Sequence, residues 1–205
     1  GQLRSQLGDF DPSSVRGIIS FGVAGGLDPV LATGDIVVAT EVVIGGGRWA
    51  AAAGLSGELI GAVGDGSRRI VRGILAGSEV VVPSQAEKAR LRDETSAAAV
   101  DMESHIAAGY AETVGLPFAA LRVVSDPASR ALPAIATTAL KPDGRVDIWK
   151  VLRAIARQPS VVPDLIRTGR DFNHAIVTLR GCRRLLLGEG GRLLSGGGSL
   201  VTADL

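Results

Sequence analysis

Three short segments carry the residue types from which a reaction can be built. The first is Ser20-Phe21-Gly22-Val23-Ala24-Gly25-Gly26, whose small side chains let a ligand approach the backbone closely. Successive N–H groups in a glycine-rich turn form a concavity that attracts anions. Gly22, Val23, Ala24 and Gly25 are therefore expected to form an anion-friendly cradle. The spacing is neither G-x-G-x-x-G nor a P-loop, which removes the main support for a dinucleotide or ATP site. The second segment is Val100-Asp101-Met102-Glu103-Ser104. A carboxylate at a helix start is stabilised by the dipole and by free amides, and an ionised carboxylate accepts two hydrogen bonds at once, as a vicinal diol requires. Glu103 suits that role, and Met102 suits the apolar face of a sugar. The third segment is Arg122-Val123-Val124-Ser125-Asp126-Pro127. An aspartate ending so apolar a run is expected to be partly desolvated, which favours its protonated form and fits it to pass a proton, with Ser125 orienting it. Taken singly, these are also an ordinary tight turn, a helix start and an Asp-Pro turn.

The elements that must position them follow from periodicity. Residues 15–21 form a short β-branched run that reads as a buried strand entering the glycine turn, and residues 35–43 read as a second strand. Residues 45–66 lack a period and are expected to be a mobile loop. Residues 70–75 and 79–82 are further strand candidates. Ser84 and Glu87 have the spacing of a capping box, opening a helix through about residue 94. A strand over 97–101 passes into a helix over 103–114, stopped by Gly115, and residues 118–124 form another strand. Helices are expected over residues 2–7, 148–157 and 163–180. Strands alternating with helices define an α/β protein with a largely parallel or mixed sheet.

Composition narrows the function. The chain has 205 residues, 46% hydrophobic and 21% charged, enough for a substantial core in a single domain over residues 1–187. Glycine is abundant, at 28 residues, and the glycine-rich tail over 188–205 is expected to be disordered. The lone Cys182 excludes an internal disulfide, and His105 and His174 are too far apart for a histidine metal motif, so no metal is expected. No apolar run reaches the roughly 18 residues of a membrane span, and no signal peptide is recognisable, so a cytoplasmic protein is expected. The net charge of +1 conceals an asymmetry: 13 basic against 17 acidic residues over 1–149, and 9 against 4 over 150–205. The arginines of the second part form either a solvated helix face or a surface drawn to phosphates or anionic lipid. Scarce aromatics and the lack of an RNA or DNA motif argue against nucleic-acid binding.

In order and spacing, Gly22-Val23-Ala24-Gly25-Gly26, Val100-Asp101-Met102-Glu103 and the Arg122–Asp126 strand end resemble the nucleoside phosphorylase and nucleosidase superfamily. The stretches SFGVAGGLDP and AVDMESHIAA are most similar to its hopanoid-associated phosphorylase subgroup. The resemblance implies a three-layer phosphorylase-like fold, here without its first strand, and cleavage of the N-glycosidic bond of an adenosine-type nucleoside. It implies release of adenine by phosphorolysis from a 5′-hopane-substituted substrate. The alternatives are a hydrolytic nucleosidase of the methylthioadenosine and S-adenosylhomocysteine type and a non-catalytic nucleoside-binding module. By resemblance, Glu103 binds the ribose hydroxyls, Met102 packs on the sugar, and Asp126 with Ser125 serves purine N7. Phe21, Val80 and Val82 would surround the base and its 5′ side, together with Val23, Leu132, Pro133 and Ile135. No cofactor is implied beyond inorganic phosphate as co-substrate, for which Arg48 is a further candidate. A homodimer or larger homo-oligomer is implied, with peripheral membrane contact through the arginine-rich helices.

Overall fold

The computed structural model describes residues 15–64, 66, 68–132, 162–187 and 199–204. Its centre is a seven-stranded mixed sheet built from β1 (Val15–Gly26), β2 (Ile36–Ile44), β3 (Gly47–Ala50), β4 (Ile70–Gly77), β5 (Ala99–Asp101), β6 (Phe118–Asp126) and β7 (Ser199–Asp204). The strand order is β3-β2-β4-β5-β1-β6. The sheet also closes on itself, because β2 pairs antiparallel with β6. The helices are α1 (Ala53–Val63), α2 (Gln85–Thr95), α3 (Ser104–Val114) and α4 (Val162–Leu187).

Period-two alternation assigns side chains to the two faces of the sheet. Ile18, Val37, Ala39, Ala120 and Val124 pack with Ala107, Ala108 and Ala111 of α3. Their neighbours Ile19, Phe21, Ile36, Val38, Leu121 and Val123 pack against Leu55, Leu59 and Val63 of α1 and Ala175, Cys182 and Leu186 of α4. Helices thus lie on both faces, giving the mixed, flanked sheet expected from the sequence. A third, smaller cluster joins Leu27, Val43, Ala76 and Val100 to Leu91 of α2.

The capping box is present. Ser84 Oγ accepts from the Glu87 amide at 3.2 Å, and the Glu87 carboxylate accepts from the Ser84 amide at 3.1 Å. This fixes the start of α2, and with it the position of Lys88 one turn later. Ser84→Ala is expected to lower stability by about 1 kcal/mol, read as a shift of the urea midpoint at constant slope. A midpoint within error of the parent's would show that the box is not needed for α2. Gly115 stops α3 in the left-handed conformation, at φ 69°.

Four expectations are corrected. Residues 45–66 are not a mobile loop but β3 followed by α1. The helical stripe Leu55, Leu59, Val63 is buried, whereas Gly54, Gly57 and Gly61 sit at exposed positions, so glycine masked the period. Residues 79–82 form no strand. Ser78 Oγ donates to the Val80 carbonyl at 2.6 Å and accepts from the Val80 amide at 3.2 Å, a local turn that competes with a ladder. Residues 22–26 are not a turn but the end of β1, in register with β6 through Gly22↔Arg122 to Gly25↔Asp126. Within the tail expected to be disordered, Ser199–Asp204 form β7, which runs parallel to β1 from Val15 to Phe21. The helices expected over 2–7 and 148–157 lie outside the described residues, as do Pro133 and Ile135. The helix expected over 163–180 extends over Val162–Leu187.

Candidate functional site

The three chemistry-bearing segments meet at Gly25. That residue pairs with Val100 of β5 on one side and with Asp126 of β6 on the other. A side chain there would not fit comfortably, since a Cβ on Gly25 would lie 3.3 Å from Asp126 Oδ2 and 3.4 Å from Val100 Cγ1. Glycine lets the β6 carboxyl and the β5 end approach one strand from both edges.

Asp101 and Arg122 form a buried ion pair between β5 and β6. Arg122 Nε donates to Asp101 Oδ2 at 2.8 Å, and Nη2 lies 2.6 Å from the same oxygen. Nη2 also donates to Ser20 Oγ of β1 at 2.7 Å. Asp101 Oδ2 further accepts from the amides of Ser104, at 2.8 Å, and Glu103, at 3.2 Å. One carboxylate therefore ties β1, β6 and the start of α3 together, and it fixes the backbone of Glu103.

Glu103 occupies the N-cap position of α3 and its side chain makes no capping bond. The helix start was expected to favour its ionised form, and burial acts in the opposite direction. Burial pushes its carboxyl above the ordinary range; the Arg122 guanidinium opposes the rise and the Asp101 carboxylate adds to it. Met102 beside it is 37% exposed, available to a ligand rather than committed to the core.

Asp126 is buried, and its surroundings differ from the bare apolar pocket expected of its strand. Lys88 of α2, fully buried, donates from Nζ to Asp126 Oδ2 at 2.5 Å, and also to the carbonyls of Pro127 and Arg130, each at 3.1 Å. Ser125 Oγ lies 2.7 Å from Asp126 Oδ1 and 3.2 Å from the Ala24 carbonyl, so the carboxylate is the closer acceptor. Ser125 and Asp126, expected to act together, are thus hydrogen-bonded neighbours. Lys88 was missed. The available signal was its place on the stripe Lys88, Leu91, Thr95 of α2, the one lysine where an apolar residue was due.

The remaining assignments divide. Val80 is 69% exposed, open to a ligand, and Val82 packs against the small cluster around Leu27. Phe21 is corrected: at 4% exposure it is a core residue packed toward α1 and α4, because its position on β1 alternates with that of Ser20. The cradle over Gly22–Gly25 is corrected too, since those residues are extended and laddered to β6 and β5 instead of turning their amides to one point. Val23 packs partly buried with Phe21, and Leu132 donates its amide to the Pro83 carbonyl at 2.8 Å. Arg48 sits on β3 and is paired with Glu41 of β2. Among the described residues no three His, Cys, Asp or Glu converge as metal ligands would. No helix among them is long and apolar enough to cross a membrane.

The model of the phosphorylase superfamily matches residues 7–141, and the chain belongs to that superfamily. Similar solved structures include futalosine hydrolase of Helicobacter pylori, at 22% identity and TM-score 0.55 over 60% of this chain and 63% of that one. The 5′-methylthioadenosine/S-adenosylhomocysteine nucleosidase of Helicobacter pylori, solved with butyl-thio-DADMe-Immucillin-A, is 17% identical at TM-score 0.61, covering 90% of this chain and 73% of that one. The Neisseria meningitidis nucleosidase of the same name, in complex with methylthio-immucillin-A, is 25% identical at TM-score 0.52, covering 55% and 57%. The chain spans less than two thirds of the length of the futalosine hydrolase it matches. No curated protein sequence matches it.

Proposed function

We propose that this protein cleaves the N-glycosidic bond of a purine nucleoside, releasing adenine from an adenosine-type substrate. The observation that carries the reading is the register at Gly25, which sets the Asp101–Glu103 end of β5 and the Ser125–Asp126 end of β6 on either side of one strand. Breaking the C1′–N9 bond builds positive charge on the ribosyl ring and negative charge on the leaving purine. Glu103 holds the ribose diol, Met102 packs on the sugar, and Asp126 delivers a proton to purine N7 as the bond breaks. Membership of the superfamily and the nucleosidases among the similar structures support the same chemistry. Phosphate is the acceptor of the ribosyl group in this proposal. Hydrolysis is the second reading, favoured by the laddered course of Gly22–Gly25, which takes away the expected nest of amides. The 5′-hopane substituent, homo-oligomeric assembly and contact of the arginine-rich α4 with anionic lipid belong to the proposal through the resemblance and the charge asymmetry.

The test is incubation with adenosine, methylthioadenosine and a series of 5′-alkyl adenosines, with and without phosphate. Adenine released only with phosphate supports phosphorolysis, and release at equal rates makes the enzyme a hydrolase. Adenine in neither condition would make the protein a nucleoside-binding module. Affinity that rises with 5′-alkyl length supports the hopane assignment, and flat affinity removes it.

Glu103 gives a pH-dependent expectation. Its raised carboxyl favours the folded state at acid pH, a contribution lost as pH rises through the raised value. The diol requires the ionised form, so nucleoside affinity is expected to fall as pH drops through that same value, above the usual carboxylate range. Glu103→Gln should weaken binding and flatten this limb, and it should no longer distinguish a nucleoside from its 2′,3′-dideoxy analogue. Full discrimination by the mutant would remove Glu103 from the diol.

A further inference from the structure

The loop between β4 and α2 carries Val80, which is open to a ligand, and a side-chain bond ties that loop to α3. Strands β4 and β5 run parallel with Gly77 opposite Asp101, so the loop and the start of α3 leave the sheet side by side. The Ser78 amide still donates to the Asp101 carbonyl, at 2.9 Å. Beyond it the backbone departs from the ladder into the Ser78–Val80 turn. There His105 of α3 reaches across, and its Nε2 donates to Glu79 Oε1 at 3.1 Å, since an exposed carboxylate can only accept. The Glu79 side chain is 78% exposed and that of His105 is 8% exposed. The imidazole is therefore the fixed end of the bond, and the loop is the end being held.

Two features of the imidazole mark it as placed for this bond. It lies against Gly77, where a Cβ would come within 2.8 Å of His105 Cβ, Cγ and Nδ1, so only glycine on β4 leaves room for the ring. Its Nδ1 is buried with no hydrogen-bond partner, a cost that leucine or methionine in the same space would not carry. We propose that His105 is a positioning residue which, through Glu79, sets the Val80 wall of the base site against Met102 and Glu103. Those two residues immediately precede α3, so one helix start supports both the base wall and the sugar contacts. Without the tether, the backbone around Glu79 regains conformational freedom that a bound purine must remove again.

This inference rests on the nucleoside-cleaving reading, and adenine binding separates the two. The variants are Glu79→Ala, Glu79→Gln, His105→Ala and the Glu79→Ala/His105→Ala double. Each is measured for adenine affinity by calorimetry and for kcat and KM on the best adenosine-type substrate. Glu79→Ala is expected to weaken adenine binding and raise KM by about fivefold, the equivalent of one net hydrogen bond. Its kcat should not change, because Glu79 touches no reacting atom. Its urea midpoint should not change either, because an exposed pair adds little to global stability. Glu79→Gln keeps an acceptor oxygen for Nε2 and should recover most of the affinity. The double should bind adenine no more weakly than His105→Ala, because His105 acts on the base wall only through Glu79. Adenine affinity in Glu79→Ala within about twofold of the parent would overturn the inference, and so would losses that multiply in the double. A wild-type protein that binds adenine but releases no base from any nucleoside would overturn the cleavage reading and leave this inference standing. One that binds no adenine would overturn both.

Discussion

Replacement of Asp126 by asparagine is expected to lower purine-nucleoside turnover by about 10²–10⁴ while the protein stays folded. Asparagine keeps the size of the side chain and an acceptor oxygen for one of its two donors, Lys88 or Ser125, and it removes the carboxyl group that can carry a proton to purine N7. The exchange leaves Lys88 opposite a neutral group in a buried position. A lone buried cation is strongly unfavourable when its charge is fixed, but a lysine can shed its proton where an arginine cannot. The stability change should therefore be modest and the kinetic change large. Steady-state assay beside urea unfolding separates the two. Turnover within threefold of the parent would remove Asp126 from the reaction, and a protein unfolded in buffer would show that the pair with Lys88 is chiefly structural.

The strands that build the site were legible because their residues face both ways into apolar layers. Residues 15–21, 35–43 and 118–124 are rich in Val, Ile, Ala and Phe, and most of their residues are buried in the structure on both sides of the sheet. The capping box at Ser84 and the stop at Gly115 were legible because each is a local bond or a local backbone conformation. What escaped was non-local. The ladder that keeps Gly22–Gly26 extended comes from β5 and β6, about 75 and 100 residues away in sequence, and glycine alone reads as a turn. Helix α1 escaped because its three glycines lie on the solvent side and dilute the stripe of Leu55, Leu59 and Val63. At the site, Asp126, Ser125 and Glu103 could be singled out by residue type and position at strand ends. Their partners could not, since Lys88 lies 38 residues from Asp126 and Ser20 lies 102 from Arg122. Charge pairing in a core is a property of the folded sheet, and no local pattern announces it.

That pairing is the source of the largest expected loss of stability. Arg122→Met removes the guanidinium that bonds Asp101 Oδ2 and Ser20 Oγ, and it leaves a carboxylate buried without a counter-charge. Breaking such a pair from one side costs about 3–5 kcal/mol, and two backbone amides still reach Oδ2, so the lower end of the range is expected here. A domain stable by roughly 5–15 kcal/mol loses a large fraction of its margin. Neutralising the partner as well should recover part of the loss. The Asp101→Asn/Arg122→Met double variant is expected to be more stable than Arg122→Met by about 1–2 kcal/mol, the coupling of two groups in one network. The consequence reaches the ligand, because Asp101 holds the amides of Glu103 and Ser104 at the start of α3. Arg122→Met should therefore weaken nucleoside binding even where urea unfolding shows the protein folded, and the double variant should restore stability without restoring affinity in full. A loss below about 1 kcal/mol in Arg122→Met would show that the two amides alone hold Asp101. The junction of β5, β6 and α3 would then owe its geometry to the backbone.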